Sequence, residues 1–170
     1  MKLKRYISST AIQNRVAQIG SKINKDFKNK NLVVICVLNG AFMFCSDLIK
    51  HISLELEIDF IKLSSYKNSK KSSGKISILQ ELNCDISRKD ILIVEDIVDT
   101  GLTIKFLRNL LKKKNPDSIK VATLLHKTDV SNIDFKIDYT GFEIENKFVV
   151  GYGLDYAQKY RNLKGIYLMS

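Results

Sequence analysis

The sequence predicts an α/β fold built on a central, largely parallel sheet flanked by helices. Three observations carry this expectation: Leu32 to Leu38 and Ile91 to Val94 are apolar on both faces, Ile119 to Leu125 is similarly buried in character, and segments of helical periodicity lie between the extended ones. A strand apolar on both faces belongs inside a sheet covered on two sides, which usually means parallel strands joined by crossover helices.

Taken in order, Ile12, Val16, Ile19 and Ile23 recur at helical spacing, predicting a helix over Thr10 to Phe27 with Thr10 as its N-cap. Leu32 to Leu38 follows as a buried strand, Asn39-Gly40 breaks it, and Ala41 to His51 is expected to be helical. Leu54, Leu56, Ile58 and Phe60 alternate with Glu55, Glu57 and Asp59, the period of a strand with one wet face, running to about Leu63. From Ser64 to Lys75 the chain reads SSYKNSKKSSGK, a polar stretch expected to be a mobile loop, and Ile76 to Leu82 returns as a short strand. Ile91 to Val94 precedes a helix carrying Ile104, Leu107, Leu110 and Leu111, capped by Thr103 and stopped before Asn115-Pro116. After Ile119 to Leu125, shorter strands are expected near Phe148 to Val150 and Ile166 to Leu168. No repeat or linker interrupts the 170 residues, so a single domain over 1–170 is expected, long enough to bury roughly 70% of its unfolded surface.

Composition narrows the function classes. The longest unbroken apolar run has seven residues, Leu32 to Leu38, whereas a spanning helix needs about 20, and the first ten residues lack the apolar core of a secretory signal. No membrane association is expected, and the location is expected to be cytoplasmic. Cys36, Cys45 and Cys84 are odd in number and form no CxxC spacing, as expected of buried, reduced thiols. A formal charge of +10 invites nucleic-acid binding, but the basic clusters Lys67, Lys70, Lys71, Lys75 and Lys112 to Lys114 are not interleaved with aromatic residues that stack bases. No nucleic-acid partner is therefore expected. His51 and His126 stand far apart, which disfavours a His-centred metal site.

The chemistry concentrates in Ile91 to Ile104, ILIVEDIVDTGLTI, where Glu95, Asp96 and Asp99 occur without a base in an otherwise basic chain. The segment falls at the carboxyl end of a buried strand and opens a helix, the place where open parallel sheets bind ligands. Thr100, Gly101 and Thr103 at a helix N-terminus can cradle a phosphate with backbone N–H groups and hydroxyls. Glu95 and Asp96 would repel a bare phosphate, so they suit ribose hydroxyls or a Mg²⁺ that travels with a polyphosphate. The same three acids could instead simply cap and solvate the start of a helix. There is no P-loop Lys and no GxGxxG, so a different phosphate cup is required.

VEDIVDTGLT resembles the phosphoribosyl pyrophosphate motif of the type I phosphoribosyltransferases. The chain also carries VLNGAFMF at Val37 to Phe44, SSY at Ser64 to Tyr66, LLHK at Leu124 to Lys127 and KFVVGYGLDYAQKYRNL at Lys147 to Leu163. In order and spacing these are similar to the 6-oxopurine branch, the hypoxanthine-guanine phosphoribosyltransferases, over about residues 30 to 168. The resemblance implies a type I phosphoribosyltransferase fold, a parallel-sheet core over about 30–145 with a small hood built from the terminal segments and a flexible lid loop. It implies transfer of ribose 5-phosphate from phosphoribosyl pyrophosphate to hypoxanthine or guanine, giving IMP or GMP and pyrophosphate in purine salvage, with Mg²⁺ as cofactor. Homo-oligomers, dimers or tetramers, are expected by the same resemblance.

Roles carry over residue by residue. Glu95, Asp96, Ile97, Val98, Asp99, Thr100, Gly101, Leu102 and Thr103 resemble the phosphoribosyl-binding segment, although some relatives carry Lys where this chain has Leu102. Asp99 resembles the catalytic residue beside purine N7, where bond formation at N9 makes the N7 proton acidic enough for a carboxylate to accept. Lys127 resembles the donor to the exocyclic O6, Phe148 the ring stacked on the purine, and Val149 the backbone reader of the purine edge. Glu95 and Asp96 resemble the pair facing the ribose hydroxyls and the water shell of a first metal, and Asp155, grouped with the purine side, resembles a ligand of a second metal ion, a Mg²⁺ bound to pyrophosphate; Arg161 resembles a pyrophosphate contact. Leu38, Asn39 and Gly40 resemble the pyrophosphate loop, which in relatives contains a non-proline cis peptide and often a Lys or Arg at the position of Asn39. Ser65 and Tyr66 resemble the start of a lid that keeps water from an oxocarbenium-like transition state. A reading from another class is a nucleotide-sensing regulator on the same fold that binds RNA through the basic surface.

Overall fold

Residues 32–38 take the interior position their composition demands, between two parallel neighbours in a six-stranded sheet. The computed structural model describes residues 2–65 and 76–169. The expected lid, with Tyr66, lies outside the described residues, and Ser65 is the last residue of its strand.

The elements are β1 (Leu3–Ile7), α1 (Ser9–Asp26), β2 (Leu32–Leu38), α2 (Phe42–Ile49), β3 (Leu56–Ser65), β4 (Ile76–Gln80), β5 (Asp90–Val98), α3 (Leu102–Lys112), β6 (Ser118–Lys127), β7 (Tyr139–Ile144), β8 (Val149–Val150) and β9 (Ile166–Met169). The larger sheet has the order β4-β3-β2-β5-β6-β7, parallel throughout except for the antiparallel edge strand β4. The terminal segments make a second, antiparallel sheet of order β1-β9-β8.

Alternation along the central strands feeds two cores. Val34, Cys36, Leu92, Val94, Ala122 and Leu124 meet α1 and α2 on one face. Val33, Ile35, Ile91, Ile93 and Val121 meet Ile104, Leu107 and Leu111 of α3 on the other. Each fully buried aliphatic side chain contributes about 1.5–3 kcal/mol, so the double-sided burial of β2 and β5 fixes the strands whose ends carry the acidic segment.

Two caps differ from expectation. Helix α1 starts earlier than Thr10, because Ser8 is the N-cap and its hydroxyl accepts from Ala11 N at 3.2 Å. Thr103 does not cap α3; the N-cap is Gly101 in a left-handed conformation, which has no side chain to accept from the first turn. Strands β1 and β7 were not expected, and β5 runs four residues beyond Val94 to include Glu95 and Asp96. Of the three free cysteines, Cys36 and Cys45 are buried but Cys84 is half-buried. No helix among the described residues is long and apolar enough to cross a membrane.

Candidate active site

The phosphate cup forms where β5 ends and α3 begins. Gly101 has φ +85°, and a Cβ there would collide with Ile133 Cγ2, so both the turn and the close packing require glycine. The α-helical ladder starts only at Lys105 N, which donates to Gly101 O at 2.9 Å. Apart from Leu102 N, which donates to Thr100 Oγ1 at 3.4 Å, first-turn N–H groups are thus left for an anion, with the positive end of the helix dipole behind them. Val98, Asp99, Thr100, Gly101 and Thr103 line a cavity of about 70 Å³ there. The Val98 side chain is in the core shared with α3 and that of Ile97 packs against the other core, with α1 and α2, while Leu102 is 54% exposed.

Glu95 and Asp96 are consecutive residues near the end of β5, and their carboxyl groups face the same space. Glu95 is buried and Asp96 half-buried. Asp96 N donates to Glu95 Oε1 at 3.2 Å, and Ile97 N donates to Asp96 Oδ1 at 2.8 Å. Burial, then the neighbouring Asp96 charge, pushes the Glu95 carboxyl well above its ordinary range. Burial also raises Asp96, against the lowering effects of Glu95, the backbone donors and the Arg161 charge. Both line a cavity of about 240 Å³ with Leu38, Leu63 and Thr103. A pair of desolvated carboxylates facing shared space is a donor set that a divalent cation stabilises.

Two distant segments close over Asp96. The Leu38–Asn39 peptide is cis, and Gly40 approaches the Asp96 carboxylate so closely that a side chain at Gly40 would collide with it. Gly153 in turn packs on the Gly40 carbonyl oxygen. Arg161 Nη1 donates to Gly153 O at 2.7 Å, and Arg161 Nη2 lies 2.8 Å from Asp155 Oδ1. Asp155 Oδ2 also accepts from Gln158 N at 2.8 Å. Asp155 is therefore satisfied by Arg161 and its own turn. Among the described residues no group of three His, Cys, Asp or Glu side chains is placed to hold a metal ion by protein ligands alone.

On the other side of the cup, Lys127 at the end of β6 is buried. Its Nζ is 3.3 Å from Asp99 Oδ2 and 3.2 Å from Asn146 Oδ1. Phe148 is 53% exposed, an available ring rather than a core residue, and Tyr156 meets its edge at 5.9 Å between centroids. Val149 is buried in β8, paired with Leu168.

Comparison with known proteins fits this geometry. The phosphoribosyl transferase domain family matches residues 4–157. The hypoxanthine-guanine phosphoribosyltransferase of Bacillus subtilis is 46% identical over 160 residues, 94% of this chain and 89% of that protein. This chain belongs to the phosphoribosyltransferases, in their hypoxanthine-guanine branch. Among solved structures, a Bacillus anthracis hypoxanthine-guanine phosphoribosyltransferase superimposes with TM-score 0.94 at 40% identity, covering 99% of this chain and 100% of that one. A Staphylococcus aureus hypoxanthine phosphoribosyltransferase gives TM-score 0.94 at 40% identity, covering 98% and 91%. The RNA-binding regulator gains no support from these relatives.

In this phosphoribosyltransferase the fold gathers the expected residues into two groups. Leu38 and Gly40 lie against Asp96, whose carboxylate also feels the charge of Arg161, itself paired with Asp155, and Lys127 meets Asp99 at the mouth of the phosphate cup. Asn146 and Tyr156 were not singled out from sequence. Asn146 stands two residues before Phe148 and Tyr156 directly after Asp155, so proximity to expected site residues was the available signal.

Proposed function

We propose that this enzyme transfers the 5-phosphoribosyl group of phosphoribosyl pyrophosphate to N9 of hypoxanthine or guanine, giving IMP or GMP and pyrophosphate. The observation that carries this reading is Asp99, which belongs to the phosphate cup and stands 3.3 Å from Lys127. One carboxylate is thus shared between a sugar-phosphate site and a buried cation suited to an exocyclic oxygen.

First-turn amides at Thr100 to Thr103 and the hydroxyls of Thr100 and Thr103 hold the 5′-phosphate. Asp99 accepts the N7 proton as the bond to N9 forms. Lys127 donates to O6, for which an adenine amino group offers no acceptor. Phe148 presents its ring to the purine face, and the Val149 backbone reads the purine edge. Gly40 and Arg161 bind the departing pyrophosphate with the backbone of Leu38 and Asn39.

Glu95 and Asp96 fit Mg²⁺, which is commonly held by one or two carboxylates with water and substrate phosphates completing the shell. When bound it neutralises charge on the pyrophosphate leaving group. Asp155 becomes available as a further ligand once Arg161 turns from it to pyrophosphate. The chain acts as one domain, with residues of about 30–145 as its core and the terminal sheet as its hood. Exposed Ile58 and Phe60 on β3 support assembly into a homo-oligomer, and the free cysteines suit the reducing cytoplasm.

The test is pyrophosphate release with Mg²⁺, phosphoribosyl pyrophosphate and, in turn, hypoxanthine, guanine, adenine and uracil. Turnover with either 6-oxopurine and none with adenine or uracil is expected. Absence of turnover with both 6-oxopurines overturns the proposal.

A further inference from the structure

Residues 151–153 form an unusual turn. Gly151, Tyr152 and Gly153 have φ of 101°, 50° and 98°, and a bulky residue such as Tyr enters this region only where its surroundings hold it. Tyr152 is nonetheless among the largest fully buried side chains. Its N–H donates to Leu163 O at 2.8 Å, and its hydroxyl donates to Asp47 Oδ2 at 2.6 Å.

Asp47 lies on α2, the helix that leaves directly from the Leu38–Gly40 loop. Its carboxylate also accepts from Gln13 Nε2 of α1 at 2.8 Å and from Lys50 Nζ at 3.0 Å. The residue after Tyr152 packs its backbone onto the Gly40 carbonyl oxygen, and its own carbonyl anchors Arg161. The Tyr152–Asp47 bond therefore ties the turn that carries Gly153 and Asp155, and that anchors Arg161, to the helix that follows the Leu38–Gly40 loop.

We infer that Tyr152 and Asp47 are positioning residues for the pyrophosphate half of the site, holding the 151–155 turn in register with the Leu38–Gly40 loop. Neither residue touches substrate. The inference rests on the proposed function for the identity of the ligand. It goes further in assigning a distance-setting role to a hydrogen bond between segments 105 residues apart. Its consequence is selective: phosphoribosyl pyrophosphate spans both halves of the site, whereas IMP occupies the phosphate cup and purine side alone.

The experiment is calorimetric binding of phosphoribosyl pyrophosphate with Mg²⁺, and separately of IMP, to the wild type, Tyr152→Phe, Asp47→Asn and the double variant. Tyr152→Phe keeps the buried ring and removes only the hydroxyl. Loss of a bond to a charged acceptor predicts about tenfold weaker binding of phosphoribosyl pyrophosphate, with IMP binding within about twofold of wild type. Asp47→Asn keeps an acceptor oxygen and should lose less, and the two changes should be non-additive. If both ligands bind the wild type and Tyr152→Phe leaves them unchanged, or weakens both equally, the positioning role is wrong while the proposed function stands. If neither ligand binds the wild type, the proposed function fails, and the inference with it.

Discussion

Lys127 Nζ stands 3.3 Å from Asp99 Oδ2 at the mouth of the phosphate cup. An ammonium has three N–H donors. One points to Asp99 and one to Asn146, 3.2 Å away, which leaves the third for a substrate oxygen. The same contact sets Asp99 beside the position where a base held by Lys127 must lie, so removal of either charge has separable consequences.

Asp99→Asn keeps the size of the side chain but cannot accept a proton. The side chain is 52% exposed, so the fold should be unaffected. We expect kcat to fall by about 10² to 10⁴ with an unchanged thermal unfolding midpoint. Steady-state kinetics beside a melting curve checks both; a wild-type kcat removes Asp99 from the mechanism.

Lys127→Ala should act on the base rather than on the sugar phosphate. Loss of a charged donor predicts a roughly 10- to 100-fold rise in KM for hypoxanthine, with KM for phosphoribosyl pyrophosphate little changed. Asn146→Ala, which loosens the ammonium without removing it, should raise KM for hypoxanthine by a smaller factor, about 2- to 10-fold. Equal rises in KM for both substrates would show that these residues do not select the base.

Gly101→Ala combines a left-handed φ with a collision against Ile133 Cγ2. A destabilisation of about 1–3 kcal/mol is expected from the backbone alone, together with weaker binding of the 5′-phosphate as the cup is displaced. Chemical denaturation and IMP titration measure the two effects. An alanine variant as stable as wild type, with unchanged IMP affinity, would contradict this account of the loop.

Much of this was visible in the amino-acid order. Leu32 to Leu38, Ile91 to Val94 and Ile119 to Leu125 announce central strands because both faces are buried, and the contiguous acidic segment places the cup. Strand β1 was not legible because Lys4 and Arg5 face outward from a small peripheral sheet. Strand β7 hid its alternation behind Gly141, which is small because the Leu124 carbonyl oxygen lies against it. Contacts such as Asn146 with Lys127, or Gly153 with Gly40, depend on how remote segments meet and leave no local pattern.

Asp59 offers a pH test remote from the ligands. Buried on β3, its carboxylate accepts from the backbone N–H groups of Phe60, Asn83 and Cys84. Burial opposes its ionisation, but those donors outweigh it and hold the carboxyl below the ordinary range. A depressed folded-state pKa gives stability that is present above the unfolded value, near 3.9, and lost as pH falls through the folded value. Asp59→Asn should therefore lower the unfolding midpoint most at neutral pH and progressively less below about pH 4. A pH-independent penalty would show that the charge is immaterial. The half-buried Cys84 thiol, pushed up to about 11 by burial and then by Asp59, should also become more readily ionised in that variant.

The central claim is that one cup of backbone amides at Thr100 to Thr103 fixes the sugar phosphate while Asp99, Lys127 and Phe148 receive the purine. A crystal structure with GMP or IMP tests it most directly. The account predicts the 5′-phosphate on those amides, the ring against Phe148 and the 6-oxo group at Lys127. A nucleotide bound with its phosphate elsewhere and this cup vacant would contradict it.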